Sequence, residues 1–160
     1  MKKFYLSTIA PDAAPLAREH GLGLEIAEFC TAWNMDEKFT GVEIVLENIL
    51  EREPQWLLDI VKGVDDPRLK LCLDVGHVNA YSNIPVMQLL ETCVPYISHF
   101  HIHNNDTSRD QHNPLNEGTI PMKELLEQIG RLCPDATSTL ELMKAKSSVQ
   151  WLMEENLWNC

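Results

Sequence analysis

The chain has 160 residues, 44% of them hydrophobic, which is enough apolar material for one globular core and excludes a disordered polypeptide. Thirteen basic residues against 24 acidic ones leave a formal charge of −11, and no Lys/Arg run breaks it, so nucleic acid is not an expected partner. The five cysteines form no CxxC pair and no run of about 18 apolar residues occurs, which reads as reduced thiols in a cytoplasmic protein with no membrane span.

The start, "KKFYLST", is β-rich and runs into a turn; it reads as a first strand rather than a signal peptide. "DAAPLAREHG" follows as a helix closed by Gly21. "LGLEIAEFC" (22–30) and "VEIVLENIL" (42–50) read as the second and third strands. "EPQWLLDIVKGV" is a helix with Pro54 in its first turn. "LKLCLDVGH" (69–77) is a buried strand ending in a Gly turn, and "PVMQLLETC" is a helix. "YISHFHIHN" (96–104) is a strand, "IPMKELLEQIGRL" an amphipathic helix and "TSTLELM" (137–143) the last strand. "SSVQWLMEENLW" closes the chain as a helix capped by Ser147 or Ser148. Strands alternating with helices predict an α/β fold, a single domain over 1–160 with parallel strands and outer helices. Only "TAWNMDEKFTG" lies between Cys30 and Val42, which is short for a parallel crossover. About six βα units fall short of the eight of a complete barrel, so a partial barrel is expected.

Parallel α/β folds place their sites at the C-terminal ends of the strands. The expected strand ends carry Glu47, then Asp74 and His77, then His99, His101 and His103, and finally Glu141; the loop after the histidine strand adds Asp110 and His112. In "HFHIH" the histidines are two apart, so they share one face, the barrel interior, while Phe100 and Ile102 pack outward under helices. Each residue alone has a simpler reading. A strand-end Glu caps a helix, a lone His is a hydrogen-bonded core residue, and Asp110 with His112 decorates a loop. Their joint occurrence at successive strand ends points instead to a divalent metal, with carboxylate and imidazole suiting Mn, Mg, Co, Fe or Zn. Cys72, on the same face as Asp74, reads as core, and Trp33 reads equally as pocket lining or as cover for a barrel end.

"VLEN", "LCLDVGH", "HFHIHNND", "DQHNPLNEGTI" and "TLEL" together resemble the xylose isomerase-like TIM barrels, the sugar-phosphate isomerases and epimerases related to endonuclease IV. The resemblance covers most of residues 41–143, and "GLEIAEFCTAWNMDEKF" is similar to the family's early part. It implies a TIM-barrel-like domain shortened near residues 31–41, with the family's third and fourth strands missing. It implies a metal held by Glu47, Asp74, His101 and Glu141, the two glutamates also acting as acid and base. Glu53, His77, His103 and Arg109 become substrate-binding residues, although the family's Arg position, six after the metal His, is Thr107 here. His99, Asp110 and His112 become a second metal group or outer support. The implied activity moves a proton between adjacent carbons of a sugar or sugar phosphate. Two other readings stand beside it: an endonuclease IV-like phosphodiesterase, and a non-catalytic shortened barrel that assembles with a second chain, such as another copy of itself.

Overall fold

The computed structural model describes residues 4–7, 19, 23–25 and 43–157. The strands are β1 (Phe4–Ser7), β2 (Gly23–Glu25), β3 (Ile44–Glu47), β4 (Leu69–Asp74), β5 (Ile97–Ile102) and β6 (Thr137–Leu140). They form one six-stranded sheet in the order β2-β1-β6-β5-β4-β3. Every pairing is parallel. The last strand lies beside the first, with Leu6 opposite Leu140, as barrel closure requires. Among the described residues the order is open between β2 and β3, the point at which the sequence places the missing strands. The expected incomplete barrel is what the chain forms. The helix expected over 12–21, apart from the helical Glu19, and the link from Cys30 to Val42 with Trp33 lie outside the described residues.

Strand alternation divides the side chains between two layers. Leu71 and Leu73 on β4, Phe100 and Ile102 on β5 and Leu140 on β6 face outward into one apolar cluster. The helices α1 (Gln55–Val64), α3 (Val86–Cys93), α4 (Met122–Leu132) and α5 (Lys146–Glu154) cover them, each burying an amphipathic face such as Leu125, Leu126 and Ile129 of α4. Complete burial of each such side chain contributes roughly 1.5–3 kcal/mol. The opposite face carries Cys72 and Asp74 of β4, His99 and His101 of β5, and Thr137 and Thr139 of β6, in register across the three strands.

Two local expectations change. The strand expected to run to His77 stops at Asp74, and a short helix, α2 (Val75–Tyr81), follows at once. Its sequence, "VGHVNAY", is poor in strong helix formers; the turn is fixed by the Asp74 carboxylate, which accepts the His77 N–H at 2.7 Å. At the last helix the cap is Ala145, and Ser148 lies inside α5 with its hydroxyl accepting the Leu115 N–H at 3.0 Å.

The open side leaves apolar surface. On α1 Trp56, Ile60 and Val64, spaced by four, are 72%, 47% and 49% exposed, and Val45, Ile49 and Leu50 on and after β3 are exposed as well. Among the described residues no helix is long and apolar enough to cross a membrane.

Candidate metal centre

The parallel register carries the ends of β3 to β6 to one rim. Glu47 ends β3, Asp74 ends β4 opposite His101, and Glu141 follows β6 immediately. His101 Nδ1 is 3.1 Å from Glu47 Oε1, 3.7 Å from Asp74 Oδ2 and 3.7 Å from Glu141 Oε2. Two ligands each about 2.1 Å from a shared ion stand roughly 3–4 Å apart, a spacing that Glu47, Asp74 and His101 meet; Glu141 is near His101 but groups by mutual distance with His103 and His112. The ligand atoms of Glu47, Asp74 and His101 all lie within 4.8 Å of one another. Access is graded: the side chain of Asp74 is 0% exposed, His101 12%, Glu141 17% and Glu47, on the open edge, 32%.

Asp74 is held from several directions. Asn48, one residue past β3, clamps its backbone: Nδ2 donates to the Asp74 carbonyl at 3.0 Å and Oδ1 accepts the Asp74 N–H at 2.8 Å. The His103 ring meets both carboxylate oxygens through Nε2, at 3.0 and 3.2 Å. Burial by itself would raise the Asp74 carboxyl, but the hydrogen bond and charge of His103, with the ring and N–H of His77, outweigh it and hold it below its usual range. For His103 burial lowers the imidazole, while the Asp74 hydrogen bond and the charges of Asp74, Asp110 and Glu141 win and raise it. Burial pushes the Glu141 carboxyl up, against the opposing pull of His101.

These shifts set a pH window for the metal-free chain. The Asp74 contribution is present above its ordinary value of 3.8 and is lost as pH falls through the depressed folded value. The His103 contribution is present below its ordinary value of 6.5 and is lost as pH rises through the raised folded value. Glu141, also raised, works in the same direction, its contribution present below its ordinary value of 4.5 and lost as pH rises through the raised folded value. The urea midpoint of the chelator-treated protein should therefore fall as pH is raised above 6.5, and His103→Gln should flatten that fall.

A second group adjoins the first. His77 Nε2 and His112 Nε2 both face Asp110 Oδ2, at 3.3 and 2.9 Å. Their Nδ1 atoms bond the carbonyls of Asn48 and Glu141, at 2.8 and 2.9 Å. A carbonyl only accepts, so the ring protons sit on Nδ1 and each Nε2 is aimed at the carboxylate, the orientation imidazoles take when they bind a cation. His112 achieves this with a left-handed backbone, φ 49°, uncommon for a residue other than glycine.

The remaining expected residues sit elsewhere. His99 lies one layer deeper, its nitrogens 2.5 and 3.0 Å from the hydroxyls of Thr137 and Thr139. His103 is fully buried, so it serves Asp74 rather than open space. Glu53 and Arg109 are exposed, and among the described residues neither has a contact with the cluster. The rim loop bearing Glu53 is tied outward, its Arg52 carbonyl accepting from Asn83 N and Ser82 Oγ at 2.9 and 3.0 Å. Cys72 joins His99 and His101 within ligand distance, but burial pushes its thiol up to about 11, which suits a core residue rather than a thiolate ligand. Asn48 is a site residue that the sequence patterns do not single out; a polar residue just past a ligand-bearing strand end, next to Glu47 in "VLEN", is its one signal.

Residues 12–155 match the xylose isomerase-like TIM barrel family, and the chain belongs to it. It is 31% identical over 117 residues to the uncharacterized protein MJ1311 of Methanocaldococcus jannaschii, covering 69% of this chain and 40% of that protein. In structure it is similar to a D-tagatose 3-epimerase-like protein, with 23% identity, a TM-score of 0.60 and coverage of 91% of this chain and 51% of the other. It is also similar to a Thermus thermophilus protein soaked with zinc chloride, with 21% identity, a TM-score of 0.58 and coverage of 87% and 46%. The chain thus spans about two fifths of the curated relative and about half of these solved ones.

Proposed function

We propose that this chain is a divalent-metal-dependent isomerase or epimerase that moves a proton between adjacent carbons of a sugar or sugar phosphate. The convergence of Glu47, Asp74 and Glu141 on His101 Nδ1, at 3.1 to 3.7 Å, carries this reading. Those four residues would hold the ion, with Mn, Mg, Co and Zn all compatible with the mixed oxygen and nitrogen set. Bound there, a divalent ion supplies Lewis-acid polarisation of a carbonyl oxygen. Glu47 and Glu141 come from separate strands on either side of the site. One removes the proton beside the carbonyl and the other delivers a proton on the return step. His77 orients a substrate hydroxyl, and buried Asp74 stays an ionised anchor. The D-tagatose 3-epimerase-like neighbour supports a ketose as the first substrate to try. The buried free thiols Cys72, Cys93 and Cys133 support a cytoplasmic setting.

The test is metal content by elemental analysis after loading with Mn²⁺ and dialysis. The expected result is about one ion per chain, lost in Glu141→Ala, with a ketose panel to follow. Wild-type protein that retains no ion overturns the reading.

A second reading, phosphodiester hydrolysis, draws on the His77, Asp110 and His112 group, in which two imidazoles face one carboxylate oxygen beside the first site. The charge of −11 weighs against a DNA substrate. Cleavage of an abasic duplex would favour this reading over the first. A second copy covering the apolar open side is compatible with either chemistry, and solution mass reports it.

A further inference from the structure

The His103 ring is fully buried, lies just past β5, and is engaged on three sides. Its Nε2 is 3.0 and 3.2 Å from the two oxygens of Asp74 and 3.6 Å from Asp110 Oδ1. Its face stacks on His112, with centroids 4.1 Å apart and planes 23° apart. Its other side rests on Gly76, where an added Cβ would come within 1.8 Å of the ring. That distance is far inside any contact, so the ring takes its seat only because residue 76 has no side chain. The seat is built into one turn: Asp74 starts α2, Gly76 makes room, and the ring returns to the Asp74 carboxylate.

We propose that His103 is a positioning residue for the metal: seated on Gly76, it fixes the Asp74 carboxylate at the angle that the ion requires and ties it to the loop carrying Asp110 and His112. This inference rests on the metal-centre reading above. It goes beyond it by giving a buried histidine outside the expected ligand set and a glycine one shared task. Asp74 has two oxygens: Oδ1 accepts the His77 N–H and takes the shorter His103 contact, while Oδ2, 3.2 Å from the same ring nitrogen, is the atom turned toward His101. Without the ring the carboxylate can rotate and has lost its main partner. Removal of such outer partners typically weakens metal binding about 10–100-fold.

The experiment is a cobalt(II) titration followed by visible absorption, with affinity and band shape as readouts, on wild type, His103→Ala, His103→Gln, Gly76→Ala and the Gly76→Ala/His103→Ala double variant. His103→Ala and Gly76→Ala should each weaken binding about 10–100-fold and alter the band. His103→Gln, which retains a donor, should recover most of the loss. In the double variant the effects should not add, because Gly76 acts only by seating the ring. Should His103→Ala fail to fold, His103→Asn takes its place in the cycle. Wild-type affinity in the His103 variant, or a full second loss when Gly76→Ala is added to it, overturns the proposal while leaving the metal centre standing. A wild type that binds no cobalt overturns both.

Discussion

Asp74→Ala lowers the stability of the metal-free chain by about 3–5 kcal/mol and removes divalent-metal binding. The stability loss follows from breaking a buried charge pair, which leaves His103 buried without its partner. The same carboxylate caps α2 through the His77 N–H, so the helix start is weakened with it. Urea unfolding at pH 6 in the presence of chelator measures this loss where the His103 contribution is fully present. The loss of metal should exceed the roughly 10–100-fold expected from removal of an outer partner, since here a ligand itself is gone. A variant that unfolds at the wild-type midpoint would mean that the Asp74 and His103 pair contributes nothing net to stability.

If the proposed activity holds, Glu47→Gln and Glu141→Gln should each lower kcat/KM on the responsive ketose by about 10²–10⁴-fold, the usual contribution of a positioned acid or base. Both side chains are also expected ligands, so each variant is assayed at saturating metal, with bound ion counted in the same sample. The decisive readout is exchange of the substrate's C–H deuterium with solvent. If one glutamate is the base, its Gln variant stops the exchange even while it holds the ion. Exchange that persists in both variants would place the base elsewhere, and Asp110 would be the next carboxylate to replace.

Much of the candidate site was legible in the sequence because parallel strands impose a simple rule. A period of two puts His99, His101 and His103 on one face, and strand ends share one rim. That rule gathered Glu47, Asp74, His77, the three histidines and Glu141 at one rim and foresaw Phe100 and Ile102 under the helices, while the choice of Glu47, Asp74, His101 and Glu141 as one ligand set came from the family resemblance. It could not rank the three histidines by depth. Depth depends on the register of β5 against its neighbours, which sets His99 against threonines and His101 against carboxylates. Helix α2 was hidden because a single carboxylate cap, rather than its own residues, starts it. Glu53 was carried by spacing from a resemblance, and Arg109 as the arginine nearest to the family position that Thr107 holds here; both sit exposed on loops with ties of their own. Arg52 is bonded toward the end of α2, and the Asp106 carboxylate folds the turn before Arg109 by accepting from Ser108. The seat of His103 on Gly76 joins residues far apart in the chain, which no local pattern reports.

Barrel closure between β1 and β6 also has a consequence for how the chain is made. Leu6 is paired with Leu140, so the first strand acquires one of its two neighbours only after residue 140 has been made. Until then β1 and β2 have only each other, and an isolated two-stranded pair is marginal in water. The β3-to-β5 region, by contrast, joins strands adjacent in sequence with helices between them, so it can assemble during synthesis. Productive folding is therefore ordered from the middle outward. β1 and β2 wait longest for their partners, and the slow step is the long-range joining of β1 to β6.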